Sequence, residues 1–243
     1  MIFAGHGGIV CDVKHWVWGI LLAFAPVCAV AQEVSLAAPA ELSAGAVPRF
    51  VPEGDLRPPA RSGQVPRTRW QHMEGHVLWT RAALSALKDH GRPLVETVPR
   101  DIAYWCPAYP GKGAAERRAF WVGFLSALAK HESTYRPWAV GGGGKWFGLL
   151  QILPGTARGY ACTARTGAGL KSGAANLSCA VRIMARTVPR DGVIHGYRGK
   201  RGQGVTADWG PMHSAAKRRE MAGWLRRQTY CLSPGATRPR ARP

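Results

Sequence analysis

The chain has 243 residues, of which 33 are Lys or Arg and 14 Asp or Glu, for a formal net charge of +19. That length holds one ordinary domain of ~150 residues with tails or linkers and argues against two full domains. So basic a balance selects an acidic partner such as nucleic acid, anionic lipid or an acidic cell wall, unless the arginines only solvate the surface, because charge governs association and solubility rather than chemistry.

Lys14 and His15 precede an apolar run from Trp16 to Ala25, and Ala29-Val30-Ala31 has the small-x-small form of a cleavage site. Residues 1–31 are therefore expected to be a signal peptide, which places the protein in the periplasm or outside the cell. A membrane anchor needs ~20 apolar residues and this run is shorter, so no stable span is expected after cleavage. Cys28 is preceded by Val27 where a lipid-modified cysteine needs a small residue. The leader holds one Lys and one Asp, so its removal leaves the net charge at +19, and export removes nucleic acid as a partner. Cys106, Cys162, Cys179 and Cys231 remain, an even number with no C-x-x-C spacing, as expected of disulfides rather than zinc. Four cysteines allow three pairings; we expect Cys162 with Cys179, closing a short loop, and Cys106 with Cys231, tying the ends of the domain.

Residues 32–68 are rich in Ala, Pro, Val and Gly without a period and predict a flexible linker. The spacing of Met73, Val77, Leu84 and Leu87 predicts a helix with those residues on its buried face, stopped by Gly91 and Pro93. A second helix is expected from Ala114 to His131, with Trp121, Leu125 and Leu128 on one stripe and Phe120 and Phe124 beside it. Asn176 is a good N-cap for a third, in which Leu177, Ala180, Val181 and Met184 share a face, and a fourth ends near Arg227 with Met221, Trp224 and Leu225. Alternating strand patterns are nearly absent, so the class is all-α with glycine-rich loops. The domain is expected over residues 69–232, followed by a disordered basic tail at 233–243.

Several motifs fail on their own terms. His131-Glu132 opens like a metalloprotease helix, but Tyr135 stands where the second His belongs. His72 and His76 lie one helical turn apart without a third ligand. Gly141 to Gly144 with Lys145 resembles a phosphate loop, but Trp146 replaces the hydroxyl residue that binds magnesium. No metal or cofactor is expected. Glu132 is different: it follows Leu128 by four residues and Leu125 by seven, so an apolar stripe ends in a carboxylate. Partial burial there raises a carboxyl pKa from ~4.3 toward ~6, as a general acid requires.

Glu132-Ser133, then Pro137 and Ala139, a glycine-rich stretch, Gly148-Leu149-Leu150-Gln151-Ile152 and Pro154-Gly155-Thr156-Ala157 resemble the Glu-Ser and Gly-Leu-Met-Gln motifs of the lytic transglycosylases with a lysozyme-like fold, and Asn176-Leu177 resembles that family's next motif. The resemblance implies a lysozyme-like helical domain whose cleft binds alternating N-acetylglucosamine and N-acetylmuramic acid in peptidoglycan. It makes Glu132 the acid that protonates the glycosidic oxygen and the base that then deprotonates the muramoyl 6-hydroxyl, giving a 1,6-anhydro end. Ser133, Gln151, Tyr197 and Trp146 are the candidate substrate-binding residues, with Trp138 as a further sugar-stacking candidate. The partner implied is a glycan strand bound by a monomer.

No Asp or Glu occurs between Glu132 and Asp191, which fits an internal nucleophile better than a water-using pair of carboxylates. Gly141 stands where many members have serine, Ala180 and Ile183 where they have Gly and Tyr, and the late Tyr-Asn-x-Gly motif has only Tyr197 as its nearest equivalent. The alternatives are a lysozyme-type hydrolase using Asp191 or Asp208 as second carboxylate, and a cationic wall-binding protein without activity. Because the charge is so high, binding to peptidoglycan with free carboxylates is expected to weaken as salt rises from ~50 to ~500 mM, over which the Debye length shrinks severalfold. A pelleting assay across that range checks this, and unchanged binding would show the charge to be incidental.

Overall fold

Every residue from Phe120 to Ala129 is buried, so the helix that carries them runs through the interior, as a helix apolar on all sides must. In the computed structural model, which describes residues 65–233, the order is α1 (His76–Lys88), α2 (Arg92–Glu96), α3 (Ile102–Trp105), α4 (Ala114–Glu132), β1 (Val140–Gly141), β2 (Trp146–Phe147), α5 (Pro154–Gly159), α6 (Gly167–Leu170), α7 (Gly173–Asp191), β3 (His195–Arg198), β4 (Arg201–Gly204) and α8 (Ala215–Arg226). The expected signal peptide, the linker up to residue 64 and the tail from residue 234 lie outside the described residues.

α1, α2 and α8 pack around α4, and α7 packs on α1 and α2. Trp105, Tyr109, Phe120, Trp121 and Phe124 meet mostly edge to face, the arrangement that ring quadrupoles favour. Their polar edges are satisfied: Trp121 Nε1 donates to the Tyr109 hydroxyl, which donates to the Val95 carbonyl, each at 3.0 Å. Gly123 has no side chain because the Tyr230 hydroxyl lies 2.0 Å from where a Cβ would stand. That hydroxyl donates to the Arg67 carbonyl at 3.3 Å, Thr68 is buried, and the Arg69 N–H donates to Ser126 Oγ at 3.0 Å. Packing therefore begins before residue 69, the expected start of the domain.

The buried face of α1 follows the expected one only in part. Trp79, Thr80, Ala83, Ala86 and Leu87 are buried, Val77 is exposed, and Met73 and Leu84 are only partly covered. Small alanines let α1 approach α7 closely, and the Trp79 indole fills the space over Gly173, where a Cβ would stand 2.4 Å from Nε1. Pro93 does more than stop α1: it sits in the first turn of α2, where a missing N–H costs nothing.

α7 starts at Gly173, capped by Ser172, whose side chain accepts from the Ala175 N–H. Asn176 is thus inside the first turn rather than at the cap, and it is fully buried. Gly192, at φ +67°, ends the helix in the left-handed conformation open to glycine. α8 follows its expected pattern, with Met221 and Leu225 buried and Trp224 partly so.

The fold is mostly helical but not purely so. Two antiparallel hairpins, β1–β2 and β3–β4, interrupt it, and their short glycine-rich and polar sequences carry no alternating apolar signal. Among the described residues no helix is long and apolar enough to cross a membrane. The cysteines pair as Cys106–Cys231 and Cys162–Cys179. The first closes a segment of 125 residues, so replacing both of its cysteines by serine is expected to lower stability by about 2 to 5 kcal/mol. Denaturant unfolding of that double variant measures the loss.

Candidate active site

α4 ends at Glu132, and the chain turns sharply after it. Thr134 and Tyr135 have φ of 52° and 62°, left-handed values that cost a residue with a Cβ about 1 to 2 kcal/mol each. The turn is held by Ser133, which is buried; its hydroxyl donates to the Leu149 carbonyl at 2.9 Å and accepts from the Arg136 N–H at 3.1 Å. Ser133 therefore joins the end of α4 to the loop at 148–151.

The Glu132 carboxyl is partly buried, and its Oε1 is sealed from solvent without a hydrogen-bond partner. Desolvation pushes its pKa up to about 7, against the opposing charge of Lys217 on α8. The two basic side chains that precede it in sequence turn elsewhere. Lys130 Nζ and His131 Nε2 each lie 2.9 Å from a Glu220 oxygen, and Arg69 joins them at 2.5 Å. Burial raises the pKa of Glu220, but the hydrogen bonds from Lys130, Arg69 and His131 prevail and hold it at about 2. Glu220 thus draws those charges to itself and leaves Glu132 unpaired among the described residues. His131 is engaged there, and His72 packs edge-on against Tyr135.

Gly148-Leu149-Leu150-Gln151 faces this end of the helix. Gly148 has φ +82°, and a Cβ would come within 2.1 Å of the Leu170 carbonyl and 2.3 Å of Asn176 Nδ2, so both conformation and space demand glycine. Asn176 clasps the loop with three hydrogen bonds: Oδ1 accepts from the Leu150 N–H at 2.9 Å, and Nδ2 donates to the carbonyls of Phe147 at 2.9 Å and Leu170 at 3.0 Å. Trp209 Nε1 adds a bond to the Leu150 carbonyl at 3.0 Å.

Gln151 itself is strained, at φ 46°. Its Nε2 donates to the carbonyls of Ala139 at 3.2 Å and Gly148 at 2.9 Å, which orients the amide. Its Oε1 occupies the space where a Cβ of residue 141 would stand, 2.3 Å away. Gly141 is thus matched to Gln151, and a serine there would displace the amide.

Trp146 and Gln151 share a pocket with Thr156, Ile183, Asp208 and Trp209. Trp146 is partly exposed and Trp138 largely so. Burial raises the Asp208 carboxyl, opposed by Arg190. Asp191 is held elsewhere: its oxygens accept from Arg190 at 2.8 and 2.7 Å and from the Gly204 N–H at 2.7 Å, and the Arg190 hydrogen bond keeps its pKa low. Tyr197 is not brought to this pocket. It stands exposed on β3 with its hydroxyl 2.8 Å from His213 Nδ1.

Asn176 as clasp, Glu220 as charge trap and Lys217 as neighbour of Glu132 were not anticipated. Asn176 was visible as a helix N-cap and as part of a motif, and Glu220 lies 88 residues beyond Glu132 with no local signal.

Residues 111–195 match the family described as Transglycosylase SLT domain. The structure is similar to that of Bd0314 DslA, wild-type form 2, with a TM-score of 0.63 and 25% identity over 69% of this chain and 98% of that one. Two glutamate-to-glutamine mutants of the same protein also match with a TM-score of 0.63, at 25% and 24% identity, over 69% of this chain and 98% and 99% of theirs. No curated protein matches in sequence.

The raised pKa of Glu132 sets a pH dependence. Below its ordinary 4.5 the carboxyl is protonated whether the chain is folded or not, and the advantage of burying it neutral is fully present. That advantage is lost as pH rises through about 7, because the folded site then disfavours the ion. Glu132→Gln, always neutral, is expected to gain on the wild type by on the order of 2 to 3 kcal/mol between about pH 5 and pH 8. Denaturant midpoints at both pH values test this; parallel profiles would contradict it.

Proposed function

We infer, from the transglycosylase SLT domain at residues 111–195, that this protein acts on peptidoglycan, and we propose that it is a lytic transglycosylase with Glu132 as its catalytic acid and base. The observation that carries the proposal is the Glu132 carboxyl, desolvated, without a protein partner among the described residues and raised to about 7. A group so placed holds a proton near neutral pH and can both give it up and take it back, which is what general acid-base catalysis needs.

The proposed reaction requires one residue for two steps. Glu132 donates its proton to the glycosidic oxygen between N-acetylmuramic acid and N-acetylglucosamine as the C1–O bond breaks, which frees the leaving sugar as an alcohol. The muramoyl 6-hydroxyl then attacks its own C1, and its proton passes to the Glu132 carboxylate, restoring the acid. No water enters, and the product is a 1,6-anhydro end. Tethering the nucleophile to the reacting ring is worth up to ~7 to 11 kcal/mol. Gln151, held at two carbonyls, and Trp146 beside it supply an oriented amide and an aromatic face for a sugar. The two disulfides agree with an oxidising compartment such as the periplasm or the exterior.

A hydrolase is the second reading, favoured by one observation: Asp208 lies in the pocket with Gln151 and Trp146. Digestion of purified peptidoglycan separates the two, since anhydro ends are lighter by one water than reducing ends. Anhydro products support the transglycosylase and reducing ends the hydrolase, whereas pelleting without release supports a wall-binding protein. Glu132→Gln is expected to reduce cleavage by ~10² to 10⁴ or more. Glu116→Gln, about 24 Å away at the other end of α4 by helix rise, leaves it near wild type, and Gln151→Ala weakens substrate binding more than turnover. More than about a tenth of the activity remaining in Glu132→Gln is too small a loss for an essential proton shuttle and moves the assignment to Asp208.

A further inference from the structure

α8 places Lys217 where its charge acts on Glu132, but it carries Arg218 and Arg219 to a different place. With Asp101, Tyr104, His195 and Ala215 they line an open recess of about 430 Å³, which includes neither Glu132 nor Gln151. Asp101 forms no ion pair with either arginine among the described residues. Its Oδ1 accepts from the Ile194 N–H at 2.8 Å, and its Oδ2 accepts from the His195 N–H at 2.9 Å and from Trp105 Nε1 at 3.0 Å. Asp101 is therefore part of the wall of the recess.

Among the described residues neither Arg218 nor Arg219 forms an ion pair. Arg218 is fixed by donating through Nη1 to the Met212 carbonyl at 2.5 Å, and Arg219 stands exposed. Tyr104 offers a rigid, partly exposed ring, packed edge-on against Trp105 at 5.1 Å with the Arg226 guanidinium 5.7 Å from its centroid. His195 is oriented by a 2.8 Å contact between its Nδ1 and Thr206 Oγ1.

We propose that this recess is a second binding site, for the carboxylate-bearing peptide of the wall polymer, separate from the place where the glycan is cut. It rests on the peptidoglycan reading above for the identity of the polymer, though not on Glu132 being catalytic. Guanidinium forks match a carboxylate in two parallel hydrogen bonds, and a fixed tyrosine ring covers the apolar part of a short peptide with little loss of freedom. The recess is also larger than a single small anion needs. Holding a peptide there raises the effective concentration of the attached glycan at the cutting site.

The test titrates the purified protein with the free tetrapeptide of peptidoglycan and, separately, with inorganic phosphate, by calorimetry or NMR. We expect saturable tetrapeptide binding with a Kd of about 1 mM or tighter. Arg219→Glu should weaken it at least about tenfold and Arg219→Lys less, while Tyr104→Ala also weakens it. Both positions are at the surface, so all three variants should fold and should still cleave peptide-free glycan strands at the wild-type rate. Absence of saturable tetrapeptide binding overturns the proposal, as does binding unaltered by Arg219→Glu and Tyr104→Ala. Phosphate binding that is tighter and lost in the same variants also overturns it, in favour of a phosphate-bearing polymer. If the tetrapeptide binds the recess but no glycan is cut, the catalytic reading fails and this one stands. Cutting without tetrapeptide binding gives the reverse.

Discussion

Enclosure of α4 is the constraint on which the rest depends. A helix buried on every side from Phe120 to Ala129 carries its ionisable groups only toward its ends, and at its C-terminal end the first such groups are Lys130, His131 and Glu132. Here α8 brings Glu220 against the two bases together with Arg69, and the acid is left without a counter-ion. Its raised pKa follows from that division, because one carboxylate takes the cations and the other takes the desolvation.

The second requirement is that the segment facing Glu132 keep a conformation the chain would not choose. Gln151 has a positive φ, as do Thr134 and Tyr135 across from it, and such strain persists only where surrounding bonds over-determine it. Asn176 from α7, Trp209 from the segment before α8 and Ser133 from the end of α4 all bind backbone groups at 147–150. A buried polar side chain with every bond made is rigid, and one left unmade costs ~1 to 3 kcal/mol. The loop is thus held by side chains from three other parts of the chain, and Gly148 leaves the room for Asn176 as Gly141 does for the Gln151 amide.

The large positive charge is distributed unequally between these tasks. Arg69 and Lys130 attend to Glu220, and Arg190 holds Asp191. Arg218 and Arg219 meet no carboxylate among the described residues. Among the described residues the basic side chains thus include some that order the frame around Glu132 and some that meet no carboxylate.

Some of this was legible in the residues alone. The extent of α4, the position of Glu132 at the end of its apolar stripe and the glycine-rich stretch after it are local, because helical periodicity and backbone sterics act over a few residues. The mostly helical class and the SLT-like motifs were legible for the same reason. What the tertiary structure decided were questions of which neighbour a group meets. Asn176 could cap a helix or clasp a loop, and the fold chose the second because Ser172 supplies the cap. The face of α1 turned to Trp79 and its alanines because α7 comes close there. Ser133 turned inward to Leu149, Tyr197 went to His213 instead of the Gln151 pocket, and Asp191 went to Arg190. Each of these depends on partners far away in the chain, and burial and charge pairing between such partners are properties of the folded arrangement that no local pattern encodes.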